Sequence, residues 1–398
     1  MAFEPGEKTP RLLVLGAGPA QLGLLEAARR QGIWLAVCDR DPSAPGFAYA
    51  DSRCIVATDA EPALERLASA LMPDGVIAPG KDAAVAVAAR IAEKAGLRHP
   101  LSPATAQVAT SKLRQRDAFA RGGVPQPRWQ VVSAEDGALE LALPVVVKPA
   151  DRTGRSGLSL VSEPSELAPA VAEARAASRG GAVLAEEFVE GPDVMVTGFS
   201  AEGDFVPLAV TDRSSGHGVA FGVPLAYSWP SEHEEAAVEV ARRAVEAVGI
   251  VEGPSLTQLR ISRGGPEVIE VAARLGGGQD AELVALVTGI DLNRLALGSA
   301  LGRPVAASEI RGAFQRMAGG AAVRFLVAPP GRLESVEVPQ GLKGVVATRI
   351  FREPGWSFGP LRRASDRAGF VLAAGSSASE AHTRADAASE RIRFVSSQ

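Results

Sequence analysis

The chain is predicted to be an α/β protein that passes into α+β, with an N-terminal Rossmann-like parallel sheet followed by a larger mixed part. Three stretches predict this. Residues 11–103 alternate apolar strand runs with helical patterns, residues 145–161 read as strand, loop and strand, and residues 255–271 alternate as two strands about a turn. Strand and helix in alternation give a parallel sheet with helices on both faces.

In the first segment the strands are expected at 12–15, 35–38, 54–57 and 76–78, and the helices at 22–30, 62–71 and 83–95. Gly16-Ala17-Gly18-Pro19-Ala20-Gln21-Leu22-Gly23 follows the first strand, and Asp39 ends the second. Glycines after one strand and an acid after the next invite a dinucleotide-binding reading, hence a dehydrogenase. Pro19 and Gln21 interrupt the usual spacing, however, and such turns also occur in domains that bind no dinucleotide.

A length of 398 residues suggests two or three domains, a change of composition at residue 111 places a first boundary near 103, and the expected division is 1–104, 105–303 and 304–398. With 46% hydrophobic and 22% charged residues the chain reads as soluble and globular, and a net charge of −4 gives no basic footprint for nucleic acid. Cys38 and Cys54 form no metal or disulfide pattern, which fits a reducing, cytoplasmic setting. Residues 1–10 lack the apolar run of a signal peptide, and no run is long enough to span a membrane.

From residue 111 a helix is expected over 112–120, ended by Gly122-Gly123, with Pro125 and Pro127 leading into a strand at 129–132. Val145-Val146-Val147-Lys148 then delivers one ammonium at a strand end, beside a loop containing Thr153, Gly154, Ser156 and Gly157. Loop N–H groups next to such a lysine suit a polyphosphate. An ordinary hairpin with an exposed lysine has the same pattern.

A helix at 166–178 precedes Ala182-Val183-Leu184-Ala185-Glu186-Glu187-Phe188-Val189-Glu190-Gly191-Pro192-Asp193. Unpaired backbone groups at that strand tip could bond an adenine edge and Asp193 a ribose, or the tip could simply be solvated. Strands at 194–200 and 205–211 pair as a hairpin, whereas 212–231, with His217, reads as loop. Further on, strands at 256–261 and 268–271 bring Gln258 and Glu270 together across Gly264-Gly265-Pro266. Glu270 sits in an apolar strand, where a lone carboxylate is costly, so it needs a cation or a donor as partner, and Mg²⁺ is a natural candidate. Arg274 and Gly276-Gly277-Gly278 come next, a cationic, close-approach site.

The order Lys112, Lys148 with its glycine loop, Glu186-Glu187-Phe188-Val189, Asp193, Gln258, Glu270 and Arg274 resembles the ATP-grasp superfamily over nearly the whole chain. The tract Glu270-Val271-Ala272-Ala273-Arg274-Leu275-Gly276-Gly277 is most similar to the carboxylate-amine ligase branch, in particular the L-amino-acid ligases that make dipeptides. The resemblance implies an ATP-grasp fold and formation of an amide through an acyl-phosphate, with ATP and Mg²⁺, or Mn²⁺ in its place. It implies that Lys112 and Lys148 contact phosphates and that Thr153, Gly154, Ser156 and Gly157 belong to a closing loop. Glu186, Glu187, Phe188 and Val189 would take adenine, Asp193 the ribose, Glu270 the metal with Gln258 beside it, and Arg274 the acid and acyl-phosphate oxygens. Gln258 stands where a metal-binding carboxylate is usual and Ala272 where an asparagine is common. The neutral amide weakens the expected metal site, which leaves open a nucleotide-binding protein without turnover. A non-amino-acid substrate or a carboxylase is a further alternative.

The last part is expected to complete the site and to carry a homodimer surface. Strands are predicted at 321–327, with Arg324 either binding a second carboxylate or merely snorkelling, at 344–351 and at 369–374, before a closing helix over 380–394.

Overall fold

The computed structural model describes residues 8–132, 139–151, 157–216 and 221–397. Strands β1 (Arg11–Leu15), β2 (Trp34–Asp39), β3 (Ser52–Ile55) and β4 (Gly75–Ile77) form a parallel sheet in the order β3-β2-β1-β4. Helix α1 (Leu22–Arg30) connects β1 to β2, α2 (Glu61–Leu71) connects β3 to β4, and α3 (Asp82–Ala95) follows β4. Leu12 to Leu15 are fully buried, which is why the strand reads as an unbroken apolar run. The expected order therefore holds, with element ends moved by one or two residues.

Helices α4 (Pro103–Ala109) and α5 (Lys112–Arg121) come next, capped by the hydroxyls of Ser102 and Ser111. The ensuing sheet is small and antiparallel. Its strands β5 (Trp129–Val132), β6 (Val145–Pro149), β7 (Ser159–Val161) and β8 (Val183–Glu187) lie in the order β5-β8-β6-β7, packed against α6 (Pro164–Ala177) through Val145, Val147, Val171 and Ala174.

The largest sheet begins with β9 (Asp193–Ala201), β10 (Asp204–Ser215) and β11 (Pro224–Trp229). Helix α7 (Glu234–Val248) leads to the hairpin β12 (Gly253–Ser262) and β13 (Gly265–Ala272). Helices α8 (Asp280–Thr288), α9 (Leu292–Ala300) and α10 (Ala307–Gly312) come next, then β14 (Gly320–Leu326), β15 (Gly331–Glu337), β16 (Val345–Ile350), β17 (Ser357–Phe358), β18 (Gly369–Gly375), α11 (Ala378–Arg391) and β19 (Arg393–Ser397). Eight strands join in the order β13-β12-β9-β10-β11-β14-β18-β16, so the sheet runs on past residue 304 into the C-terminal part. Strands β17, β15 and β19 make a separate three-stranded sheet.

Two expectations are corrected. Residues 212–231 are not a loop throughout, because β10 extends to Ser215 and β11 occupies Pro224–Trp229. The proline of β11 is the first residue of the strand, where a missing N–H is tolerated. The closing helix stops at Arg391, and Phe394 and Val395 instead pair with Val336 and Ser335 of β15.

The register of the large sheet gathers polar side chains on one face. Residues opposed across antiparallel strands share a face, as do alternate residues along one strand. Tyr227 opposes Arg213, Arg213 opposes Asp193, and Gln258 opposes both Met195, two residues beyond Asp193, and Glu270. Glu270, Gln258, Asp193, Arg213 and Tyr227 therefore form one polar row across the neighbouring strands β13, β12, β9, β10 and β11. Among the described residues no single helix is long and apolar enough to cross a membrane.

Candidate active site

Lys148, near the end of β6, is buried and donates to Glu186 Oε2 of β8 at 2.6 Å. The other oxygen of Glu186 accepts from Arg116 Nε at 2.8 Å, and Arg116 also donates to the carbonyls of Val268 and Ile269 at 2.9 and 2.6 Å. One buried carboxylate thus joins the small sheet, α5 and the strand that carries Glu270. Burial brings the Lys148 ammonium down to about 8, against the pull of Glu186. Burial also opposes charge on Glu186, but Arg116 and then Lys148 overcome it and bring the carboxyl to about 2. Arg116 is absent from the sequence-based site, although its place one helical turn after Lys112 puts both on one side of α5.

Beyond Glu186 the strand tip opens onto a cavity of about 810 Å³ lined by Pro144, Glu187, Phe188, Val189, Gly191 and Ile261 among others. Three of the four residues expected near adenine line this cavity, while the side chain of Glu186 is turned to Lys148. Glu187 pairs with Arg128, and the Arg260 guanidinium lies 5.3 Å from the Phe188 ring. Gly157 has φ of +69°, and a β-carbon there would come within 2.7 Å of the Ala177 methyl. It borders a second cavity of about 1040 Å³, with Phe221, Trp356 and Arg363 on its walls. Thr153, Gly154, Ser156 and His217 lie outside the described residues.

The polar row meets α5 at Glu270, whose Oε1 accepts from Lys112 Nζ at 3.0 Å. Gln258 Nε2 donates to both oxygens of Asp193 at 3.1 and 3.2 Å. This explains the glutamine in physical terms, since a carboxylate at 258 would face the Asp193 carboxylate with like charge. Among the described residues no three His, Cys, Asp or Glu side chains group as a metal cage. Mg²⁺ does not need one, because it commonly binds through one or two carboxylates together with substrate phosphates and water. Glu270 fits that part, with a side chain 29% exposed.

Arg274 lies just past β13, and its Nε and Nη2 donate to Asp82 at the start of α3 at 2.6 and 2.8 Å. Asp82 is buried and Arg274 partly so, and the neighbouring Gly276-Gly277-Gly278 tract packs on the N-terminal glycine turn, where a β-carbon on Gly277 would lie 3.2 Å from the Ala20 methyl. Inside that turn Gln21 Nε2 donates to the Pro79 carbonyl at 2.6 Å, and Asp39 Oδ2 accepts from Ala17 N at 3.0 Å. The acid after the second strand is thereby committed to holding the turn. Arg324, in contrast, lies next to Val323, the residue that opposes Tyr227, and so sits on the other face of the sheet, paired with Asp386 of α11 at 3.3 Å.

Residues 109–278 match the ATP-grasp domain model and residues 324–397 the L-amino acid ligase C-terminal domain 2 model. The chain is 30% identical over 410 residues to a formate-dependent phosphoribosylglycinamide formyltransferase of Synechococcus sp., covering 96% of each. It is 29% identical over 311 residues to the uncharacterized protein y4rH of Sinorhizobium fredii, covering 73% of this chain and 62% of that one. It spans 47% of a further formyltransferase from Prochlorococcus marinus. The crystal structure of L-amino acid ligase from Bacillus licheniformis superposes with a TM-score of 0.84 at 23% identity, over 98% of this chain and all of that one. The domain match and the nearly full-length relative show that this is an ATP-grasp protein. Within that superfamily the chain belongs to the carboxylate–amine ligase family.

Proposed function

We propose that this protein is an ATP-dependent ligase that activates a carboxylate, that of an amino acid, as an acyl-phosphate and joins it to an amine with release of ADP and phosphate. The observation that carries the proposal is the meeting of Lys112 with Glu270 at 3.0 Å beside Arg274, which Asp82 holds in place. Moving the γ-phosphoryl group onto a carboxylate oxygen brings two anions together, so such a site works mainly by positioning and by neutralising charge.

In this reading Lys112 and Lys148 neutralise phosphate oxygens, and Arg274 orients the acid and then the acyl-phosphate. Backbone groups of Glu186 to Val189 take the adenine, and Asp193 takes the ribose hydroxyls. The loop containing Thr153, Gly154, Ser156 and Gly157 closes over the phosphates and keeps water from the acyl-phosphate. Mg²⁺, or Mn²⁺, held by Glu270 with Gln258 beside it, would add positive charge at the phosphates. The amine attacks the activated carbonyl carbon, and phosphate leaves with the former carboxylate oxygen.

The match of residues 324–397 supports an amino acid as the acid. A second reading rests on the nearly full-length similarity to the Synechococcus protein, whose name specifies formate and phosphoribosylglycinamide. Phosphate release from MgATP, measured first with pooled L-amino acids and then with formate plus phosphoribosylglycinamide, separates the two. A mass one water below the sum of two pool members identifies a peptide-forming ligase. Release only in the second mixture supports the formyl reading, and release in neither contradicts both. Self-association as a homodimer belongs to the same proposal and is checked by sedimentation.

A further inference from the structure

Arg213 is a cation whose contacts among the described residues leave it incompletely paired. Its side chain is only 9% exposed, and its Nη1 stands 3.7 Å from Asp193 Oδ2, too far for a hydrogen bond. Nη2 donates to the Gly222 carbonyl at 2.7 Å. The Nε–H is buried and, among the described residues, has no hydrogen-bond partner. A buried guanidinium donor left unmet is costly, and such an orphan in a polar cleft points to an acceptor that arrives with a ligand.

The register fixes where that acceptor comes from. Arg213 opposes Asp193 on one side and Tyr227 on the other, within the same row as Gln258 and Glu270. Burial opposes its charge, but the acids around it, Asp193 foremost, hold its pKa above the ordinary value. Arg274 shares Glu270 and Asp280 as charged neighbours. The two arginines thus share acidic neighbours in the cleft, Arg274 just past β13 and Arg213 on β10.

We propose that Arg213 is a second catalytic arginine, whose free Nε–H and adjoining N–H groups receive oxygens of the γ-phosphoryl group as it passes from ATP to the acid, opposite Arg274. This rests on the ATP-dependent ligase reading. A guanidinium edge matches two phosphoryl oxygens in a way that an ammonium does not. Lys112 marks Glu270 as the phosphate end of the row, and the charge of Glu270 is felt at Arg213 across the two strands between them.

The test is calorimetric binding of MgADP and of the non-hydrolysable Mg-AMP-PNP to wild type, Arg213→Gln and Arg213→Lys. The proposal expects Arg213→Gln to lower the ratio of AMP-PNP to ADP affinity by roughly tenfold or more, with ADP affinity held within a few fold. Arg213→Lys, which keeps the charge and loses the Nε–H, is expected to fall between. An unchanged ratio, in either variant, overturns the proposal, as does equal loss of both nucleotides, which would mean that Arg213 merely supports Asp193. Should the glutamine variant not fold, the ratio in Arg213→Lys decides alone. Wild-type protein that binds neither nucleotide would instead overturn the ATP reading itself.

Discussion

Arg274 Nε and Nη2 meet Asp82 Oδ1 and Oδ2 at 2.6 and 2.8 Å, joining residues 192 positions apart. The contact ties the end of β13 to the start of α3, so the N-terminal sheet domain sets the direction of the arginine assigned to the acid. In the proposed reaction Asp82 is then a positioning residue. Asp82→Asn should keep the fold yet raise KM for the acid and cut kcat/KM for it by about 10- to 100-fold, with ATP affinity changed far less. Equal loss for ATP and acid would argue against this division of labour.

Lys148→Ala and Arg274→Ala each remove one preorganised charge donor, and each should lower turnover by on the order of 10² or more. Steady-state rates of the two variants check this. Near-normal turnover in both would mean that the chemistry takes place elsewhere.

Lys148 gives a pH signature, because burial brings its ammonium from 10.5 to about 8. It is cationic below that pH and neutral above it. Hence kcat/KM for ATP should be flat near neutrality and fall as pH rises through about 8, and Lys148→Arg should remove that inflection. Stability moves the other way over this window. Between about 8 and 10.5 the unfolded lysine holds more protons than the folded one, so its contribution to stability rises with pH. For Glu186, whose carboxyl is lowered from 4.5 to about 2, stability is present above 4.5 and lost as pH falls toward 2. Denaturation midpoints across pH read both trends.

Gln258 donates to Asp193, and a glutamate there would bring two carboxylates together. Gln258→Glu should therefore lower the melting temperature in chelator by a few degrees, with MgATP restoring it. A variant as stable as wild type without metal would show that the Gln258–Asp193 contact contributes nothing.

Much of the fold and site is legible in the residue order, and the parts that are not share a cause. Gly264-Gly265-Pro266 fixes a short turn, so the Gln258 to Glu270 pairing follows from local chain geometry and is observed. The strand that ends at Lys148 is equally local. Asp82 and Arg116 act through contacts between distant segments, and of the two only Arg116 carries a local mark, its place one helical turn after Lys112. Helices α8 and α9 leave little trace in the sequence because many of their residues are buried, as in Leu283, Val284, Leu292 and Leu297, which blurs the one-sided pattern of a surface helix. Strand β11 is hidden by its leading proline, and β19 by its position directly after a helix.

The most direct test of the central claim traces oxygen. With an acid substrate labelled with ¹⁸O in its carboxylate, MgATP and the amine, an acyl-phosphate route transfers one carboxylate oxygen to the phosphate that is released. Mass spectrometry should then find phosphate carrying one ¹⁸O in step with amide formation. Amide formed with unlabelled phosphate would contradict the account.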